Sequence, residues 1–330
     1  MIKELLHSAA WRIEAFVDRL RGQRDPRRII EPYIGYAEPD ALVVRGRVLA
    51  SLRRNSAAPL QSKWLNFRQM MSLFLTDEVA GVRVEAMGVK GMTDEEGYFT
   101  LRIPRSHASG WQDVIVTLSD QQVEADCSVL VPQANARFGV ISDIDDTMLH
   151  TGAYALWRNL WTSLTGNALT RRVFPDAVHF MNALGEAGRN PVYYVSSSPW
   201  NLHHFLTLVF ARAGLLRVPM FLRDLGLSPS QFVTGTHGDH KGAAIDLLMQ
   251  ANPELDFVLV GDTGQHDAFV YRDAVRRHPG RVIAIVLREP GPGPDSESCA
   301  AMEEIRSAGI NVYNAPDFEA IAPQILRQIA

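Results

Sequence analysis

Phe138-Gly139-Val140-Ile141-Ser142-Asp143-Ile144-Asp145-Asp146-Thr147 is a short apolar run that stops abruptly in acids and a hydroxyl. An apolar run without polar alternation is the signature of a strand covered on both faces, as in a parallel sheet flanked by helices. Runs of the same texture recur at Val192–Val195, Phe257–Val260 and Val282–Leu287. Between and after them, Ala177–Glu186, Leu202–Ala213, Gly242–Met249 and Ala268–Arg276 carry apolar residues at helical spacing. Strands alternating with helices predict an α/β, Rossmann-like parallel sheet, here over residues 135–330.

Upstream, the texture differs. Leu42–Leu49, Val82–Met87, Tyr98–Ile103 and Val114–Leu118 alternate with period two, and Gly and Pro fall between them. That pattern predicts a small antiparallel β-sandwich over 31–134. Within it, Thr93-Asp94-Glu95-Glu96-Gly97-Tyr98-Phe99-Thr100-Leu101 resembles the turn and strand of transthyretin-like or carboxypeptidase-regulatory-like modules, with Gly at the bend and Phe entering the core. This region offers no nucleophile with a base at useful spacing, so it reads as a structural or binding module whose protein partner is unknown. Residues 1–30 place Ile2, Leu5, Leu6, Ala9, Ile13, Phe16, Val17 and Leu20 on one helical stripe, followed by Arg21, Arg24, Arg27 and Arg28. Such a helix suits either docking on its own protein or peripheral contact with an anionic membrane. Arg288–Asp295, rich in Gly and Pro, reads as a surface loop.

Composition narrows the function classes. The 330 residues carry 33 basic and 37 acidic side chains, for a formal charge of −4, which fits no nucleic-acid-coating role. The two cysteines, Cys127 and Cys299, form no CxxC pair, so disulfide frameworks and thiolate zinc sites are not expected. No uncharged apolar run reaches the roughly 18 residues needed to span a bilayer, and Arg12 and Glu14 interrupt the first apolar stretch. The expectation is a soluble cytoplasmic protein.

Ligands of open α/β sheets gather beyond the carboxyl ends of the strands. Three of the runs end in polar clusters: Ser142–Thr147, Ser196-Ser197-Ser198, and Gly261-Asp262-Thr263-Gly264-Gln265-His266-Asp267. If these strands are neighbours, Asp143, Asp145, Asp262 and Asp267 converge. Clustered carboxylates must protonate or bind a cation, and an all-oxygen set favours Mg²⁺, the ion commonly presented to phosphates. In extended backbone Asp143 and Asp145 project to one side and Asp146 to the other. That placement suits Asp143 as nucleophile on phosphorus, with Asp145 as the acid that protonates the leaving oxygen and then the base that activates water. Thr147 and Ser196 supply hydroxyl donors for the phosphoryl oxygens, and Lys241 supplies positive charge. His237, His240 and His266 match no standard zinc spacing.

Asp-x-Asp-x-Thr after a strand, Ser after a second, a lone Lys and then Gly-Asp-x4-Asp resembles the haloacid-dehalogenase superfamily of phosphatases. More narrowly, Ser142–Thr147, Tyr194–Trp200 and Gly261–Asp267 resemble the catalytic domain of the actin-patch-protein type of phosphatidate phosphatase. The resemblance runs from about Phe138 to Tyr271. It implies Asp143 as nucleophile, Asp145 as acid/base, and Ser196 and Lys241 as phosphate-binding groups. It also implies Asp262 and Asp267 on the magnesium side, with the backbone carbonyl of Asp145 completing the metal shell. The implied reaction is Mg²⁺-dependent hydrolysis of phosphatidate to diacylglycerol and phosphate through an aspartyl-phosphate.

Between the first two motifs, Leu156, Trp157, Leu160, Trp161 and Leu164, beside Tyr154 and Arg158, form a stripe that would suit either a lip meeting acyl chains or a helix packed on the sheet. Two other readings stay open. One is a phosphatase of a soluble phosphomonoester. The other is a non-catalytic receiver-like module that binds a phosphoryl group, against which stand the position of Lys241 before the third motif and the presence of Gly-Asp-x4-Asp.

Overall fold

The motif residues lie on and beside a sheet of six parallel strands. The strands are β8 (Gly139–Asp143), β9 (Val192–Pro199), β10 (Met220–Arg223), β11 (Phe257–Asp262), β12 (Val282–Arg288) and β13 (Asn311–Ala315). In this computed structural model the described residues are 28–50, 79–120, 122–150, 173–223, 237–264, 266–291 and 293–328. The amphipathic stretch from Ile2 to Leu20 and the aromatic stripe from Tyr154 to Leu164 lie outside them.

The parallel strands are ordered β10-β9-β8-β11-β12-β13. Counted along this sheet alone, that is the Rossmann order 3-2-1-4-5-6, whose direction reverses between β8 and β11. Helices cover both faces: α1 (Pro175–Gly185), α2 (His203–Ala213), α3 (His237–Ala251), α4 (Asp267–Arg277), α5 (Ser296–Ser307) and α6 (Ala322–Gln328). One core packs Val140, Val258 and Val286 against Phe180, Leu206 and Phe210. On the opposite face Ile141, Leu259 and Ile285 meet Ile245, Leu248 and Tyr271. Successive side chains of each strand therefore bury on opposite faces, which is why the runs show no polar alternation.

The upstream strands are β1 (Ile29–Ala37), β2 (Ala41–Leu49), β3 (Arg83–Ala86), β4 (Val89–Met92), β5 (Tyr98–Pro104), β6 (Gly110–Leu118) and β7 (Glu124–Val131). They form one hydrogen-bonded sheet in the order β4-β3-β6-β7-β1-β2-β5. Neighbours pair antiparallel except β1 and β7, which run parallel where Gly35 and Tyr36 face Val129 and Leu130. The ends of the sheet approach one another, since a Cβ on Gly91 of β4 would lie 2.6 Å from Leu101 Cδ2 of β5. Phe99, Leu101 and Ile103 point into the enclosed core, as the period-two pattern requires. At the Thr93–Leu101 segment, Gly97 has φ +81°, and the Asp94 carboxylate accepts from the N–H groups of Glu96 and Tyr98.

Strand β2 is buried along most of its length because its two faces serve two cores. Leu42, Val44 and Val48 face the sheet's own interior, whereas Val43, with Tyr36 and Leu130, shares a core with Tyr193 and Phe221 of the parallel sheet and Ile245 of α3. Arg288 corrects the sequence reading of 288–295 as a surface loop: it is the last residue of β12 and only 3% exposed. Composition misplaced it because the Gly-Pro run begins only after it. Cys127 is buried and Cys299 exposed, both as free thiols. Among the described residues no helix is long and apolar enough to cross a membrane.

Candidate active site

The central strands β8 and β11 lie side by side, with Val260 paired to Ser142. Their carboxyl ends place Asp143 and Asp262 at the point where the sheet order reverses, where open α/β sheets bind ligands. Asp267 reaches the same spot as the first residue of α4, a position where an acid is favoured by the helix dipole. One oxygen from each of Asp143, Asp262 and Asp267 lies within 4.8 Å of the others, and all three residues are buried.

Lys241, from α3, enters this acidic cluster. Its Nζ stands 2.7 Å from Asp143 Oδ1 and 2.6 Å from Asp267 Oδ1. The Asp267 Oδ2 accepts from the backbone N–H of Asp262 at 3.1 Å, and Asp262 Oδ1 from the N–H of Gly264 at 2.7 Å. Thr147 Oγ1 donates to Asp143 Oδ2 at 3.2 Å. Tyr271, one turn along α4 from Asp267, donates its hydroxyl to the carbonyl of Val260 at 2.7 Å and closes the floor.

Burial and mutual repulsion dominate the electrostatics. Burial pushes Asp143 up to about 8, against the pull of Lys241 and with Asp267 and Asp145 adding to the rise. Burial likewise raises Asp262 to about 9, with repulsion from Asp267 and Asp143 adding to it. Burial alone would lower Lys241, but Asp143 and Asp267 more than reverse it, so its ammonium is held well above the usual lysine range. A buried oxygen set that resists its own ionisation fits a hard divalent cation, which would relieve the repulsion.

Asp145 stands apart from this triad. Ser196 Oγ donates to Asp145 Oδ2 at 2.7 Å and Ser198 Oγ to the same oxygen at 2.9 Å, fixing the rotation of the carboxyl. The sequence pattern places Asp143 through Asp146 in extended backbone, but the strand ends at Asp143. The N–H groups of Met148 and Leu149 both turn back to the carbonyl of Ile144, and Asp146 takes a left-handed φ of +57°. Asp145 therefore sits in the turn beyond the strand.

The structure thus brings together Asp143, Thr147, Lys241, Asp262 and Asp267, and sets Ser196 on Asp145 beside them. Sequence reasoning overlooked Ser198 as a partner of Asp145, although two positions along an extended strand share a face with Ser196. It also overlooked Arg288, whose Nε donates to the carbonyl of Thr147 at 2.9 Å. His240 and His266 are outside the metal-compatible group found among the described residues.

Residues 138–289 match the family described as phosphatidate phosphatase APP1, catalytic domain. This stretch belongs to that family. It contains every motif residue from Asp143 to Asp267. Phosphatidate phosphatase APP1 of Saccharomyces cerevisiae is 27% identical over 150 residues, 46% of this chain and 25% of the yeast protein. An uncharacterized protein of Schizosaccharomyces pombe is 23% identical over 252 residues, covering 74% of this chain and 40% of its own. The chain thus spans well under half the length of both curated relatives. Among solved structures, a carbohydrate acetylesterase from Xanthomonas citri aligns with a TM-score of 0.27 at 11% identity, covering 83% of this chain and 72% of that one.

Proposed function

We propose that this chain is a Mg²⁺-dependent phosphatase of haloacid-dehalogenase type that hydrolyses phosphatidate to diacylglycerol and inorganic phosphate. The observation that carries the reading is Lys241 set between Asp143 and Asp267 at 2.7 and 2.6 Å, where the central strands of an APP1-family catalytic domain end. The residues suited to hold the ion are Asp143, Asp262 and Asp267, with the backbone carbonyl of Asp145 as the family resemblance implies. Bound there, Mg²⁺ offsets the acids and draws charge from the phosphoryl oxygens.

In this reading a carboxylate oxygen of Asp143 forms a bond to phosphorus while the bond from phosphorus to the diacylglycerol oxygen breaks. Asp145, in its protonated form, gives its proton to that leaving oxygen. Asp145 then takes a proton from water, the resulting hydroxide bonds to phosphorus, and the phosphorus–Asp143 bond breaks to release phosphate and restore the carboxylate. Lys241 balances charge on Asp143 and on the incoming phosphoryl group, and the Thr147 hydroxyl orients the nucleophile. A lipid substrate places this work at a membrane surface, so peripheral contact on the cytoplasmic side completes the proposal.

The test is phosphate release from phosphatidate in mixed micelles, with and without Mg²⁺, for the wild-type chain and Asp143→Asn. Mg²⁺-dependent release that Asp143→Asn abolishes is the expected result. Release from soluble phosphomonoesters alone would remove the lipid substrate, and full activity of Asp143→Asn would remove the mechanism.

A further inference from the structure

We infer that Arg47 and Tyr33, on the seven-stranded sheet, are positioning residues for the serine pair that holds Asp145. The inference rests on the acid/base role proposed for Asp145, and it gives the upstream sheet a part in the reaction.

The segment from Ser196 to His203 runs from the end of β9 into the start of α2 and looks two ways. On one side Ser196 and Ser198 donate to Asp145 Oδ2. On the other, Trp200, Asn201 and His203 face the seven-stranded sheet. Tyr33 of β1 stacks on Trp200 with ring centroids 4.7 Å apart and planes 16° from parallel, and its ring lies 4.3 Å from that of His203. Arg47 of β2 donates from Nη1 to Asn201 Oδ1 at 3.2 Å and from Nε to the carbonyl of Glu96 at 2.8 Å. Its guanidinium lies 4.5 Å from the centroid of the Tyr98 ring. Arg45 backs the same contact, with its guanidinium 5.5 Å from the Trp200 ring centroid and a hydrogen bond of 3.2 Å to the carbonyl of Met220.

Arg47 is only 2% exposed. An apolar side chain would fill that space without the desolvation cost of a guanidinium. What the guanidinium adds is direction: it bridges Asn201 to the carbonyl of Glu96 in the turn before β5. Pro199, with φ near −71°, lies between Ser198 and Trp200. Its ring restricts the backbone there, so a displacement at Trp200 or Asn201 passes to Ser198 instead of being absorbed. The seven-stranded sheet thereby sets the position of Ser198, and through it the rotation of the Asp145 carboxyl.

Two variants of the full chain test this. Arg47→Met removes the guanidinium but keeps the methylene stem, and Asn201→Ala removes only its acceptor, guarding against an Arg47→Met chain that fails to fold. Each is followed by hydrogen–deuterium exchange and by steady-state phosphate release from phosphatidate. The expected result is faster exchange confined to peptides over 192–203, with those over 257–262 unchanged. With it kcat falls about tenfold or more, because small misplacements of catalytic groups are costly, while KM stays within about twofold. Unchanged exchange in both variants overturns the inference, as does faster exchange with an unchanged kcat in an active protein. If the wild-type chain releases no phosphate from phosphatidate, the proposed function fails, and the exchange measurement still decides whether the clamp exists.

Discussion

Arg288 at the end of β12 donates from Nε to the carbonyl oxygen of Thr147 at 2.9 Å. Thr147 in turn donates its hydroxyl to Asp143 at 3.2 Å, so a strand that contributes no carboxylate to the cluster sets the height of the turn that orients Asp143. The guanidinium is itself held firmly. Its centre lies 4.1 Å from the Phe174 ring centroid and 4.3 Å from that of Phe318, while Nη1 donates to the carbonyl of Pro316 at 3.1 Å. Nη2 meets Asp176 Oδ2 at 2.5 Å, and that oxygen also accepts from the N–H of Phe318 at 2.7 Å.

Arg288→Met should therefore cost both stability and turnover. It leaves the Asp176 carboxylate, 11% exposed, without its counter-charge. Breaking a buried pair from one side costs about 3–5 kcal/mol, which at about 2.1 cal/mol/K of unfolding entropy per residue is roughly 4–7 °C in a chain of 330 residues. Thermal unfolding and phosphate release check it together. A melting temperature within about 2 °C of wild type, with kcat unchanged, would show that the turn holds itself without Arg288.

The acidic cluster should make stability depend on pH and on Mg²⁺ in opposite senses. Asp143 and Asp262 sit at about 8 and about 9, above the ordinary value of 3.8, so the folded chain binds their protons more tightly than the unfolded chain. Their contribution is fully present below the unfolded value and is lost as pH rises through the folded ones. In EDTA the melting temperature should fall by at least about 3 °C between pH 5 and pH 9. Added Mg²⁺ should restore more of it at pH 9 than at pH 5, since the ion binds the ionised acids and stabilises by mass action. A Mg²⁺ effect equal at both pH values would mean that the ion does not bind these carboxylates.

Much of this site is legible in the chain because each motif follows a run that buries on both faces. Phe257–Val260 and Phe138–Ser142 announce parallel strands, and the acids mark where those strands end. What the sequence conceals are relationships that no period encodes. Met220–Arg223 of β10 and Asn311–Ala315 of β13 are too short or too polar to stand out as strands, and β7 begins with Glu124-Ala125-Asp126, where a polar start masks the apolar half. The spacing of β2 gives no hint that Val43 and Arg47 face another sheet, because a residue packed across an interface looks the same in sequence as one packed in its own core. Arg288 was hidden by its neighbours, since a Gly-Pro run colours the residue before it.

Ser196 and Ser198 should act as a coupled pair. Both donate to the same oxygen, Asp145 Oδ2, and the Ser198 N–H also bonds to Ser196 Oγ at 2.9 Å. A hydrogen bond to a charged acceptor contributes about 1.5–3 kcal/mol, so either alanine substitution should lower kcat by about tenfold to a hundredfold if that bond orients the carboxyl. With one donor gone the other still restrains Asp145, so the double variant should fall further than the product of the singles. Steady-state kinetics on the two singles and the double measure this coupling. Strict multiplicativity would mean that the serines act on separate targets.

Gly261→Ala probes the tightest approach in the site. A Cβ built at Gly261 would stand 2.5 Å from Asp267 Oδ2 and 2.8 Å from the Tyr271 hydroxyl, so the methyl group can fit only by pushing one of them away. Tyr271 is anchored to the Val260 carbonyl, which leaves Asp267 to move, and Asp267 is the residue that shares Lys241 with Asp143. Overpacking of this kind costs about 1–3 kcal/mol. The substitution should therefore lower the melting temperature by several degrees, cut phosphate release at least tenfold and raise the Mg²⁺ concentration needed for half-maximal activity. A variant with wild-type stability and an unchanged Mg²⁺ requirement would show that the Asp267 carboxylate has room to spare, and that contact with the bare backbone is not what places it.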